Sequence, residues 1–260
     1  MEVIVKPSYE EMSRAAAQVV ADVMNTKPNA VLGLATGSTP LGVYQELARM
    51  HKEDGLDFSR VTTFNLDEYV GLPAGHEQSY HYFMQENFFQ HVNIPAQNTY
   101  VPSGTTSNYE SFCQWYEKQI EECGGIDIQL LGIGSDGHIA FNEPTSSFTS
   151  RTRLKTLAEP TIDDNARFFE RREDVPIYAI TMGVGTILES RQLLMVANGK
   201  NKAHAVAASI EGPLNSMFTA SALQLHPSSI VFLDDDAASE LTMRDYYDWV
   251  RDKKPGAPQR

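Results

Sequence analysis

Short apolar runs alternate with amphipathic stretches along almost the whole chain. Val3 to Val5 reads as a first strand. Ser8 and Glu11 then form a capping box for a helix with apolar positions at Met12, Ala15, Ala16, Val19 and Val23. Ala30 to Ala35 is a compact apolar strand, followed by the turn Thr36-Gly37-Ser38-Thr39-Pro40 and a helix through about Met50. Val61 to Leu66 is the next strand and delivers Asp67 and Glu68. Residues 71–91 are rich in aromatics and predict one helix over a loop, a candidate lid. Ser107 to Cys123 is amphipathic and helical, and leads into the apolar run Ile126 to Ile133.

Further on, Ser150 to Ala158 reads as extended, and Thr161 with Asp164 caps a short helix carrying Arg167. Val175 to Thr181 and Gln192 to Ala197 are strands with helix between them. A helix from Asn201 to Ile210 carries Lys202, Ser229 to Leu233 is the last strand, and Ala237 to Arg251 a terminal helix. Strands alternating with helices at this spacing predict an α/β fold, a mostly parallel sheet with helices on both faces. No repeat or linker divides the chain, so residues 1–260 read as a single domain with a frayed tail over 253–260.

Composition agrees with that picture. A chain of 260 residues, 42% of them hydrophobic, can bury a full core. No segment approaches the roughly eighteen unbroken apolar residues of a membrane span. The start, MEVIVKPS, lacks the basic-then-apolar pattern of a signal peptide, so the expected location is the cytoplasm. Cys113 and Cys123 stand ten residues apart in one predicted helix, about 15 Å, too far to bridge. A net charge of −13 argues against general nucleic-acid binding but leaves room for a small anion held by local cations.

The richest stretch is Leu130 to Pro144, LLGIGSDGHIAFNEP. An apolar run breaks into a Gly-rich turn presenting Asp136, His138 and Glu143, and α/β proteins place their chemistry beyond the carboxyl ends of parallel strands. Flanking carboxylates orient a histidine and suit it to proton transfer. Gly132, Gly134 and Gly137 also spell the G-x-G-x-x-G of a dinucleotide-binding turn. That turn should open into a helix, whereas Phe141, Asn142 and Glu143 run into Pro144. A nicotinamide enzyme is not expected. Asp67 stands at another strand's carboxyl end and would project over the same rim, so two acids and a histidine divide the proton-transfer work.

The turn Thr36 to Pro40 fits an anion site: Gly37 lets backbone approach a ligand, Thr39 is a natural N-cap, and Pro40 suits a first helical turn. Arg167 and Lys202 are the cations to add to it. Each reads as lying near a helix start, where the helix dipole gives a cation no reason to be; on spacing alone both read as solvated charges. Tyr80, Tyr82, Phe83, Phe88 and Phe89 read as packing, with Phe112 and Trp115 as core candidates.

Taken in order, LATGSTPLGVY, FNLDEYVGLP, SYHYFM, LLGIGSDGHIAFNEP, SRTRLKTL, NARFF and GKNKAHAV resemble the glucosamine-6-phosphate deaminase family almost from end to end. The resemblance implies a Rossmann-like single domain, no metal and no organic cofactor, and conversion of glucosamine 6-phosphate and water to fructose 6-phosphate and ammonia. It makes Asp67 the proton acceptor in enolisation and His138 the ring-opening acid/base, held by Asp136 and Glu143. It puts the phosphate on Thr36, Gly37, Ser38 and Thr39 with Arg167 and Lys202.

Some members of that family are hexamers activated by N-acetylglucosamine 6-phosphate and others are smaller and unregulated; the resemblance implies a homo-oligomer here. Ser146, Arg153, Lys155 and Thr156 match the activator motif. Tyr246 and Tyr247 lie near, but out of clear register with, a helix of that site. Thr145 stands where the family usually has Gly. The related alternatives are a 6-phosphogluconolactonase, which lacks the Phe-Asn-Glu-Pro and Leu-Asp-Glu-Tyr elements, a galactosamine 6-phosphate enzyme, and a sugar-phosphate sensor without turnover.

Overall fold

Seven parallel strands cross the computed structural model, which describes residues 1–254. In chain order the elements are β1 (Glu2–Lys6), α1 (Tyr9–Thr26), β2 (Val31–Leu34), α2 (Leu41–Asp54), β3 (Thr62–Asn65), β4 (Asp67–Tyr69), α3 (Tyr80–Asn87), β5 (Thr99–Tyr100) and α4 (Tyr109–Glu122). Then come β6 (Ile128–Leu131), β7 (Arg153–Thr156), α5 (Glu159–Ala166), β8 (Tyr178–Thr181), α6 (Val184–Leu188), β9 (Leu193–Ala197), α7 (Ala203–Ile210), β10 (Ser229–Asp234) and α8 (Arg244–Lys253).

The main sheet runs β1-β10-β9-β6-β2-β3-β5, with β6 at its centre. Alternate side chains feed two cores. Leu32, Leu34, Ile128 and Leu130 face α1, α2 and α3, while Val31, Phe64, Leu131 and Met195 face α4, α6 and α7. Connections leave β2 toward β3 on one side and β6 toward β9 on the other. The switch point therefore lies between β2 and β6, and the crevice beyond their carboxyl ends is where such sheets bind ligands.

A second, three-stranded antiparallel sheet, β4-β8-β7, was not expected. Asp67 pairs with Thr181, and Leu66 accepts a hydrogen bond from the Met182 amide at 2.7 Å, so the chain turns from the main sheet into the small one at Asp67. This corner is what holds Asp67 at the rim.

Several expectations need correction. The buried stripe of α1 is Met12, Ser13, Ala16, Ala17, Val20, Ala21 and Met24, with Ala15, Val19 and Val23 only partly covered. Small residues turn this face toward α2, where a Cβ on Gly42 would come within 2.4 Å of Ser13 Oγ. The last helix starts at Arg244, after turns that follow β10. Trp115 is 44% exposed, at the margin of α4's apolar stripe. Of the lid segment 71–91, Met84, Phe88 and Phe89 are buried in the main core. The tail expectation over 253–260 falls outside the described residues from 255 on.

Candidate active site

Four strand ends meet over the crevice. From β2 comes the turn 36–39, from β3 Asp67, from β6 the loop 132–145, and from β9 the turn 198–202. Thr36 to Thr39, Asp67, Tyr80, His138, Arg167 and Lys202 line one cavity of about 320 Å³. The residues singled out in the sequence for acid/base work and for anion binding thus come together.

Asp67 is 6% exposed. Burial first, then the charge of neighbouring Glu68, pushes its carboxyl up to about 8. Glu68 is itself buried, which raises it to about 7 against the opposing effect of three backbone N–H donors. Those donors are Tyr69 at 2.8 Å, Tyr80 at 2.9 Å and His81 at 3.0 Å. Glu68 therefore ties β4 to the first turn of α3 and sets Tyr80 in the cavity wall. Reading Tyr80 as packing was half right, because its ring also stacks on Phe141.

The histidine loop is shaped by glycine at two places. Gly137 adopts φ +85°, and a Cβ on Gly134 would fall 2.5 Å from the His138 ring. No helix follows, as expected from Pro144. His138 Nδ1 lies 2.7 Å from Asp136 Oδ1 and 3.8 Å from Glu143 Oε2. Burial would raise Asp136, but the hydrogen bonds and charge of His138 outweigh it and hold the carboxyl below its ordinary value. Glu143, also buried, accepts from the Ala158 amide and from Thr161 Oγ1, both at 3.0 Å. With Nδ1 facing two acids, Nε2 is the ring nitrogen left to exchange protons. Donor atoms of Asp136, His138 and Glu143 lie within 4.8 Å of one another. The hydrogen bonds already made to Glu143 and Asp136 suit them to steering an imidazole.

On the anion side, Gly37 adopts φ +113°. Thr39 does not cap α2: Pro40 takes the cap position, and Thr39 Oγ1 donates instead to Asn198 Oδ1 at 2.6 Å. Arg167 stands at the C-terminal end of α5, since Pro160 in the first turn moves the helix start ahead of Thr161. Its guanidinium carbon lies 4.7 Å from the centre of the Phe168 ring. Lys202 caps α7. Burial is the main influence lowering its pKa, with Arg167 adding to the shift and Asp164 and Asp136 opposing it. Among the described residues neither cation has a carboxylate within 4.0 Å. Two cations left unpaired on one cavity wall suit a dianionic phosphate.

The residues expected to bind an activator lie outside that cavity. Ser146 is buried and receives Arg153 Nη2 at 3.3 Å, and Arg153 Nη1 donates to Asn142 Oδ1 at 2.9 Å. Arg153 and Lys155 share one face of β7, while Thr156 points to the other. Arg153 also borders a groove of about 1290 Å³ between α4 and β7, larger than the cavity that Asp67 and His138 line and sharing no lining residue with it.

Thr145, between Glu143 and Ser146, has φ +74°. A β-branched residue there carries about 1–2 kcal/mol of strain, against about 0.5–1 kcal/mol of chain entropy that glycine would lose on folding. Thr145→Gly is thus expected to stabilise the fold by about 0.5–1 kcal/mol, read as a higher denaturation midpoint in urea. A lower midpoint would contradict the strain.

A profile described as glucosamine-6-phosphate isomerases/6-phosphogluconolactonase matches residues 7–234. The chain is 51% identical over 239 residues to a glucosamine-6-phosphate deaminase of Thermoanaerobacter pseudethanolicus, covering 92% of this chain and 94% of the relative. It is 51% identical over 257 residues to one of Marinomonas sp., covering 98% and 97%. A solved monomeric glucosamine-6-phosphate deaminase superposes with a TM-score of 0.91 at 47% identity, covering 92% of this chain and all of that one. A 6-phosphogluconolactonase from Trypanosoma brucei shares the fold, with a TM-score of 0.74 at 21% identity over 93% of this chain and 98% of its own.

Proposed function

The chain belongs to the glucosamine-6-phosphate isomerase and 6-phosphogluconolactonase family, and we propose that it is a glucosamine-6-phosphate deaminase releasing fructose 6-phosphate and ammonia. The observation that carries the reading is a single cavity that joins a buried carboxylate, a carboxylate-held histidine and two unpaired cations.

The chemistry follows from those groups. The phosphate rests on the turn 36–39 with Arg167 and Lys202, far from the reacting carbons, and its binding energy holds C1 and C2 in place. His138 Nε2 moves the proton between the C1 hydroxyl and the ring oxygen, so the pyranose opens to the aldehyde. Asp67 removes the proton from C2; the C2–H electrons form the C1–C2 double bond, and the carbonyl oxygen takes a proton. This gives an enolamine. Asp67 returns its proton to C1, leaving an imine at C2. Water adds there and ammonia departs, which leaves the ketose.

Such a base must be ionised to act. Activity in the free enzyme should therefore fall as pH drops through the Asp67 pKa of about 8. The charge of Glu68 raises that pKa, so Glu68→Gln should lower it and move the acid limb of kcat/KM to lower pH, by on the order of one unit. An unmoved limb would contradict the coupling.

The phosphorylated substrate sets the enzyme in the cytoplasm, where such charged sugars are retained. No helix among the described residues is long and apolar enough to cross a membrane. For regulation, the half-buried guanidinium of Arg153, with no carboxylate within 4.0 Å among the described residues, favours an anionic activator beside Ser146 and Lys155.

The test is ammonia and fructose 6-phosphate release from glucosamine 6-phosphate, with and without N-acetylglucosamine 6-phosphate, beside a solution mass. Stimulated turnover supports enzyme and activator together. Unstimulated turnover keeps the enzyme and removes the activator, and a monomeric mass removes the homo-oligomer. Hydrolysis of 6-phosphogluconolactone in place of deamination would overturn the reading.

A further inference from the structure

The helix that receives the phosphate turn has no cap of its own. α2 begins at Leu41 behind Pro40, whose side chain offers no acceptor, although the first N–H groups of a helix lack partners within it. Tyr9, the first residue of α1, supplies one from outside. Its hydroxyl oxygen accepts the Gly42 amide at 2.7 Å and lies 3.1 Å from the carbonyls of both Ser38 and Thr39. A phenol has one proton and accepting lone pairs, so this group accepts from the helix and donates to the turn.

The approach is close by design of the sequence around it. A Cβ on Gly42 would come within 2.9 Å of the Tyr9 hydroxyl. The same arrangement relieves Thr39 of the capping role, and its hydroxyl reaches the neighbouring turn at Asn198.

We propose that the Tyr9 hydroxyl is a positioning residue for phosphate, pinning the 38–42 segment so that the turn meets the anion without rearranging. It touches no substrate and acts through Ser38, Thr39 and Gly42. The proposal rests on the reading that phosphate sits on residues 36–39. A turn fixed beforehand loses less entropy when it binds, so the hydroxyl should appear in affinity and leave the chemical step alone.

Tyr9→Phe tests it. The ring packs partly against the main core and is retained, so the fold is expected to hold. The loss of one donor and one acceptor should raise KM for glucosamine 6-phosphate about 5- to 20-fold, with kcat within about twofold. Inhibition by inorganic phosphate, a ligand with no sugar, should weaken by the same factor. Lys202→Ala is measured alongside. If Lys202→Ala raises both constants and Tyr9→Phe raises neither, the positioning role is overturned while the phosphate reading stands. If Lys202→Ala changes neither, the phosphate reading falls and takes this inference with it. A drop in kcat or in thermal stability for Tyr9→Phe, with both affinities unchanged, would make Tyr9 merely structural.

Discussion

Asp67→Asn is expected to remove deamination almost entirely while leaving a more stable protein. General base catalysis is worth about 10²–10⁴-fold, and the loss should fall toward the upper end because Asp67 is the sole group assigned to take the C2 proton. Stability should move the other way. An unfolded aspartate ionises near its ordinary value of about 4, whereas the folded one holds its proton up to about 8, chiefly because it is buried. Between those values the folded state binds one more proton than the unfolded state, so stability declines as pH rises through the window. An amide is exempt from that decline. The variant's advantage should therefore be small near pH 4, grow with pH and be complete above about 8, on the order of a few kcal/mol. Thermal unfolding at pH 5 and pH 8.5 checks the sign, and inhibition by inorganic phosphate should be unchanged. Retained turnover, or an unfolding temperature below that of the parent at pH 8.5, would contradict the role.

His138→Gln is expected to lower kcat by about 10²–10³-fold through a different step. Glutamine keeps a polar group near Asp136 but cannot pass a proton from one ring nitrogen while the other is held by acids. Binding of an open-chain amino-sugar alcohol 6-phosphate needs no ring opening and should survive in the variant. Equal losses of turnover and of that binding would make His138 a substrate-holding group and leave ring opening without an assigned catalyst.

Most strands of the main sheet were legible because they are apolar runs bounded by Gly, Pro or charge, whereas the two-residue edge strand β5 was missed. The acids and the histidine were legible because they directly follow such runs. In the small sheet β7 and β8 fall inside the stretches read as extended, Ser150 to Ala158 and Val175 to Thr181, but β4 and the pairing of the three were not expected. Those strands are three or four residues long, and β4 finds its partner β8 far along the chain, leaving no local period to read.

Arg167 was assigned to the site through the family resemblance, and its place on α5 was misread because Thr161 looked like a cap. Its hydroxyl is instead spent on buried Glu143. Thr39 was misread for the same reason: a hydroxyl before a helix looks like a cap until a distant partner claims it. Tyr9 escaped notice, and Glu68 was named beside Asp67 without a role. Their value lies in hydrogen bonds to backbone 12 to 33 residues away, a relation that side-chain identity alone does not reveal. Thr145 is the converse case: the unexpected residue at a glycine position marked a left-handed backbone.

The most direct test of the account is the fate of the C2 proton. Glucosamine 6-phosphate carrying deuterium at C2 is turned over in ordinary water, the unlabelled sugar in deuterium oxide, and C1 of the fructose 6-phosphate is read by NMR. A single carboxylate working one face predicts that C1 gains one hydrogen at one of its two positions, drawn from C2, from solvent or from both. Two solvent deuterons at C1, or scrambling between its two positions, would contradict a single base at Asp67.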